Sequence, residues 1–149
     1  MNDRFKFRGY WYNDVQKEWW VFNEPEFITG DGTAEIWSNT EGGAEPELPS
    51  DAKLHLCQCT GLKDKNGKLI YEGDIVKYAE FDWTDFSFKD WETEIAQVVW
   101  GNTYDNYYPA FDLKDTDFDG TNAFAYLFNE GWTVEVIGNI YENKELLEE

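Results

Sequence analysis

Thr60–Tyr78, TGLKDKNGKLIYEGDIVKY, is the stretch whose reading decides the fold. Two turn signals fall inside it, Asn66-Gly67 and Glu72-Gly73-Asp74. Asn-Gly is the strongest short-range hairpin signal, because both residues tolerate the positive φ of a type I′ turn. The stretch therefore reads as strand, turn, a returning strand over Leu69–Tyr71, a second turn, and a third strand from Ile75 to Tyr78. Leu62, Leu69, Ile70, Ile75 and Val76 supply its inward or packing positions. Its glycines at 61, 67 and 73 match neither G-x-x-x-x-G-K-[ST] nor G-x-G-x-x-G, so they serve turns and cradle no phosphate.

Upstream, RFKFRGYWYNDVQKEWWVF holds two aromatic runs, Phe5–Tyr12 and Trp19–Phe22, separated by Asn13-Asp14 and polar residues. That pattern predicts a β-hairpin. Period-two alternation places Phe5, Phe7 and Trp11 on one face and Arg4, Lys6 and Arg8 on the other. A short strand is expected at Thr33–Trp37. Ser38–Asp51, rich in Gly, Pro and Glu, reads as a mobile surface loop. Downstream, Ile95–Trp100 is a strand ended by Gly101-Asn102, with Tyr107–Leu113 as a candidate partner. Ala123–Phe128 fits strand or helix. Trp132–Ile137 is a strand broken by Gly138-Asn139, and Asn143 is placed to cap a short helix over Lys144–Glu149.

Aromatic residues make up 19% of the 149 residues, which favours a pleated, half-buried surface. The net charge is −19, and it is unevenly distributed. Residues 51–78 carry five bases and four acids, whereas residues 79–149 carry three bases and seventeen acids. Such a field repels nucleic acid and anionic membrane and attracts basic partners or cations; it also serves solubility. No apolar run is long enough to span a bilayer. Met1-Asn2-Asp3-Arg4-Phe5 lacks the marks of a signal peptide, so a cytoplasmic location is expected, with Cys57 and Cys59 as thiols.

His55, Cys57 and Cys59 form an H-x-C-x-C array that invites a zinc site. On a strand, however, residues two apart stand about 7 Å from one another, too far for all three to reach one tetrahedral ion. They read as strand residues. Asp115-Thr116-Asp117-Phe118-Asp119-Gly120 matches the front of a calcium loop, but position twelve is Tyr126 in place of the bidentate Glu. A looser cation site on Asp115, Asp117 and Asp119 remains as an expectation. No nucleophile motif is present, no cofactor is implied, and paired carboxylates among thirty-one acids carry no information about catalysis. A metal-dependent hydrolase built on the aspartates lacks a ligand motif.

Two windows interleave rings and carboxylates: Glu80–Glu94 and Tyr104–Gly120. The candidate interaction surface drawn from them comprises Glu80, Asp82, Trp83, Asp85, Asp90, Trp91, Glu92, Glu94, Asp112, Asp115, Asp117 and Asp119. An acidic solvated face over an aromatic core explains the same pattern without any partner.

QCTGLKDKNGKLIYEGDIVKY closely resembles the central motif of the YopX family of small phage and prophage proteins. FKFRGYWYNDVQKEWWVF is similar to that family's N-terminal hairpin, and VEVIGNIYENKELLEE to its C-terminal ending. The matches cover 18, 21 and 16 residues, in the family's order. The resemblance implies an all-β fold with minor α: an N-terminal hairpin, an SH3-like, partly closed barrel and a short C-terminal helix. It also implies a phage, prophage or mobile-element origin and a bacterial host, and it carries no reaction, cofactor or catalytic residue. Two departures stand out: Cys59 replaces a usual aromatic, and both acidic windows lie outside the matched segments. One domain is expected over 1–149, with a hairpin region at 1–37, a loop at 38–53 and a barrel-like core with acidic insertions at 54–149. The expected function is non-enzymatic binding of a basic host or phage protein, with nucleic-acid mimicry as one version. The alternative is a small-ligand or carbohydrate-binding module using exposed rings among Trp83, Trp91, Tyr104, Tyr107 and Tyr108.

Overall fold

Large rings at consecutive positions, one on each face, pair across the first hairpin, β1 (Phe7–Asn13) with β2 (Glu18–Asn23). Trp11 stands opposite Trp20 and Tyr12 opposite Trp19, and each pair of ring centroids is 5.3 Å apart. Cross-strand aromatic pairs of this kind contribute about 0.5–1 kcal/mol each. The turn is organised by Asn13, whose Oδ1 accepts the N–H groups of Val15 and Gln16 at 2.9 and 3.0 Å. The computed structural model describes residues 6–23, 27–28, 34–35, 37–40, 43–46, 54–79, 81–82, 84–88, 93–101, 110–114, 122–129 and 132–148. Among the described residues the fold is all-β with one short α-helix.

Two compact units divide the chain, Met1–Cys59 and Thr60–Glu149. In the first, β3 (Phe27–Ile28) pairs with β4 (Ala34–Glu35), and β5 (Trp37–Thr40) pairs with β6 (Gly43–Pro46). The segment read as a loop from Ser38 therefore contains a hairpin, with Trp37 opposite Pro46 at its open end. Its Gly and Pro content misled the reading: proline is tolerated at a strand end, where no ladder N–H is required. The opening residues of β7 (His55–Lys63) pair with β1 in the register Phe7–Gln58 to Tyr10–His55. With neighbours on both edges, β1 buries Tyr10 at 1% exposure, on the face of Arg8, while Phe7 and Trp11 are half-buried. The two-residue period holds, but the most buried ring is on the face assigned to the basic residues. Gly9 is required there, since a Cβ would come within 2.7 Å of the Leu54 side chain.

In the second unit, the end of β7 turns at Asn66-Gly67 into β8 (Leu69–Tyr71), then at Glu72-Gly73 into β9 (Asp74–Ala79). Strands β10 (Phe81–Asp82) and β11 (Ser87–Phe88) form a small hairpin, followed by β12 (Glu94–Trp100) and β13 (Phe111–Leu113). Helix α1 (Ala123–Asn129), strand β14 (Thr133–Asn139) and a 3-10 turn (Lys144–Leu147) complete the chain. The antiparallel sheet β13-β12-β9-β14 curls into a half-barrel. Central β9 is covered on both faces, so consecutive Ile75 and Val76 are both 0% exposed. Ile70, Val76, Tyr78, Val98, Leu113, Phe124, Leu127 and Val134 fill the core.

The ambiguous Ala123–Phe128 segment is helical. Ala123, Phe124 and Leu127 are buried at helical spacing while Ala125 and Tyr126 face solvent. Asn122 caps it, its Oδ1 accepting the Ala125 N–H at 2.8 Å. Three further expectations are corrected. Leu62 is 37% exposed and does not pack inward. β14 does not stop at Gly138 but passes through it with a bulge between Val136 and Gly138. The C-terminal helix is a single 3-10 turn, and Asn143 makes no side-chain cap bond to it.

Candidate functional site

The central motif spends its special residues on its own backbone. Asp64, 7% exposed, holds the first turn: its Oδ1 accepts N–H groups from Asn66 and Lys68, both at 2.9 Å. Its Oδ2 accepts the Val136 N–H at 3.0 Å, and Lys65 N–H donates to the Val134 carbonyl at 2.9 Å, tying the turn to β14. Burial pushes the Asp64 carboxyl up, but the bonds from Val136, Lys68 and Asn66, with the Lys68 charge, outweigh it and hold the group below its ordinary value. The Gly67 N–H donates to the Asp64 carbonyl at 3.0 Å, and Gly67 has φ +80°. Asn66 keeps negative φ, so the turn is not type I′ as expected but a longer loop closed by one left-handed glycine.

The second turn follows the same logic. Gly73 has φ +88°, and buried Asp74 accepts the Tyr71 N–H at 2.8 Å through Oδ2. The Gly73 N–H donates to the Val98 carbonyl at 2.8 Å, and its own carbonyl accepts from Ile140 at 2.9 Å. At the C-terminal motif, Asn139 Oδ1 accepts the N–H groups of Tyr141 and Glu142 at 3.0 and 2.8 Å. Asn143 Oδ1 accepts the Asn139 N–H at 3.2 Å and fills the space where a Cβ on Gly138 would lie, 2.7 Å away. These motif residues thus hold corners of the fold.

The proposed acidic surface is only partly assembled by what is described. Asp85 and Glu94 are exposed, and Glu94 Oε2 accepts the Tyr78 hydroxyl at 3.3 Å. Burial, the Glu94 charge and this hydrogen bond all push the Tyr78 phenol up. Asp82 lies in β10, opposite Ser87. Asp112 is a correction: at 1% exposure its Oδ1 accepts the N–H groups of Leu113 and Ala123 at 2.8 and 3.0 Å. It anchors the start of α1 to β13 and presents no charge to a partner. Glu80, Trp83, Asp90, Trp91, Glu92, Asp115, Asp117 and Asp119 lie outside the described residues, as do the rings Tyr104, Tyr107 and Tyr108.

Cys57 and Cys59 are buried thiols on β7, not joined in a disulfide, and exposed His55 rests against Trp19 with ring centroids 5.9 Å apart. Among the described residues no group of three His, Cys, Asp or Glu side chains could hold a metal. Sequence reasoning missed two features. An apolar groove of about 410 Å³ lies between Leu62, Phe111, Phe124 and Ala125, and half-exposed Trp100 packs edge-on against Phe111 at 4.8 Å. The other is Phe86, at the tip of the β10–β11 hairpin and 76% exposed. Only its place inside an acidic-aromatic window signalled it.

An all-β chain with a hairpin and a curled half-barrel, cornered by these three motifs, defines a small β-protein class. The chain belongs to the YopX protein family, whose match runs over residues 6–148. It is similar in structure to the crystal structure of protein EF1440 from Enterococcus faecalis, with a TM-score of 0.54 and 24% identity. That likeness covers 96% of this chain and 97% of the other, and it concerns the fold. No curated protein matches the chain. Among the described residues no helix is long and apolar enough to cross a membrane.

Proposed function

We propose that this chain is a non-enzymatic interaction protein of phage or prophage origin, acting in the bacterial cytoplasm on a basic host or phage protein. The observation that supports this is a separation of roles along the chain. Asp64, Gly67, Gly73, Asp74, Gly138, Asn139 and Asn143 are committed to turns and backbone bonds. The surplus charge is carried by other residues: seventeen acids stand against three bases over residues 79–149, Asp112 among them buried and bonded to backbone. Carboxylates at this density draw in a basic surface over about 10 Å at moderate ionic strength. In the sharper form of the reading, they occupy sites built for phosphates and so block a DNA-handling or defence protein.

The test is affinity capture from bacterial lysate on the immobilised chain at low salt, with elution first by duplex DNA and then by salt. The expected result is enrichment of basic DNA- or RNA-handling proteins that duplex DNA displaces. Capture of basic proteins that DNA does not displace would remove mimicry and leave the interaction reading. Absence of any basic protein would remove both.

A further inference from the structure

The β10–β11 hairpin sits inside the first acidic window and exposes Thr84, Asp85 and Phe86 at its turn. Phe86 is unfavourable there on two independent counts. Its ring is 76% exposed to water, and its backbone has φ +57°, the left-handed region. That region is strained for a bulky residue and is filled without strain by glycine. Folding therefore supplies no reason for phenylalanine at this position. Lys17, the other non-glycine residue with positive φ among those described, is polar and exposed.

A large ring held out on a strained turn is the form of a binding anchor: it has few rotatable bonds to freeze and much apolar area to bury. Its setting fixes the chemistry of what receives it. Asp85 beside it is exposed, and in sequence residues 80–94 carry six acids and one base, so a surface with positive charge around an apolar pocket is the complementary one. We propose that Phe86 is the anchor by which this chain docks on its protein partner, entering an apolar pocket rimmed by lysine or arginine. This rests on the interaction reading above and specifies its contact. Long-range charge brings the surfaces together; the ring then discriminates a basic protein with a matching pocket from one without.

The test uses the full chain and two fluorescent peptide probes of equal charge, one alternating Lys with Leu and the other Lys with Ser, titrated by anisotropy at low salt. The wild type is expected to bind the Lys-Leu peptide at least tenfold tighter than the Lys-Ser peptide. Phe86→Gly is expected to lose that preference while binding Lys-Ser as before, and Phe86→Trp to keep it. Phe86→Gly should also unfold at the same or a higher temperature, because glycine accepts φ +57° without strain. A Phe86→Gly chain that keeps the tenfold preference overturns the anchor and leaves the basic-partner reading intact. A drop in its unfolding temperature also overturns it, by showing that the ring packs within its own chain. Failure of the wild type to bind either peptide removes the basic-partner reading and the anchor with it.

Discussion

Three backbone N–H groups, from Asn66, Lys68 and Val136, converge on the Asp64 carboxylate at 2.9, 2.9 and 3.0 Å. Removing the acceptor frees three N–H groups, two of them on exposed residues of the turn where water can replace it, so Asp64→Ala is expected to lower the unfolding free energy by about 2 kcal/mol. Asp64→Asn keeps one acceptor oxygen and is expected to lose roughly half as much. Urea unfolding with an unchanged slope checks both. The acidity of Asp64 adds a pH signature. Its folded-state value lies below the ordinary 3.8, so its contribution is fully present above that pH and is lost as pH falls through the lower folded value. The stability gap between wild type and Asp64→Asn should therefore narrow as the pH falls below 3.8; a gap that widens would contradict the assignment.

Two element junctions separate conformational from steric demands on glycine. At the β7–β8 turn a Cβ on Gly67 would meet nothing within 4 Å, so Gly67→Ala pays only for φ +80°. The expected cost is about 1 kcal/mol, against nearly zero for Asn66→Ala, whose φ is negative. A type I′ turn would penalise both, so measuring the two variants by thermal unfolding discriminates the turn types. At the end of β14 the constraint is space. Gly138→Ala sets a methyl 2.8 Å from the Asn143 Cβ, and the expected loss is about 2 kcal/mol. Because the clash includes that Cβ, Asn143→Gly should relieve it where Asn143→Ala should not. A double-mutant cycle with a coupling of at least about 1 kcal/mol for the Gly pair is the expected outcome.

Over the whole molecule, a net charge of −19 sets the response to salt. Like charges repel in the folded chain, and ion pairs such as Lys65–Glu135 at 3.3 Å, with both side chains partly exposed, contribute little. Raising ionic strength should therefore stabilise the protein. A rise in unfolding temperature of about 2–4 °C, equivalent to about 1 kcal/mol, is expected between low and moderate salt, read by calorimetry. The same salt should weaken capture of a basic partner. Stability and binding thus move in opposite directions, and a fold held mainly by surface ion pairs would show both falling together.

Some of this was legible without coordinates because it is local. Gly67 and Gly73 adopt positive φ for reasons contained in the glycine residue itself, so both corners could be placed from sequence, as could the aromatic hairpin with its two-residue period. The charge separation is likewise a property of composition. Partnerships were not legible. Asp64 bonds a backbone group 72 residues away, and nothing near either residue signals the other. Asp112 looked like its acidic neighbours until the fold set the start of α1 against it, and Asn143 looked like a helix cap until β14 continued through Gly138. Sequence by itself determined the two corners of the central motif and where the charge lies along the chain, because backbone preference and charge belong to single residues. Tertiary structure alone decided which carboxylates are consumed inside and which ring stands outside, because burial and hydrogen bonding depend on what distant chain is brought alongside.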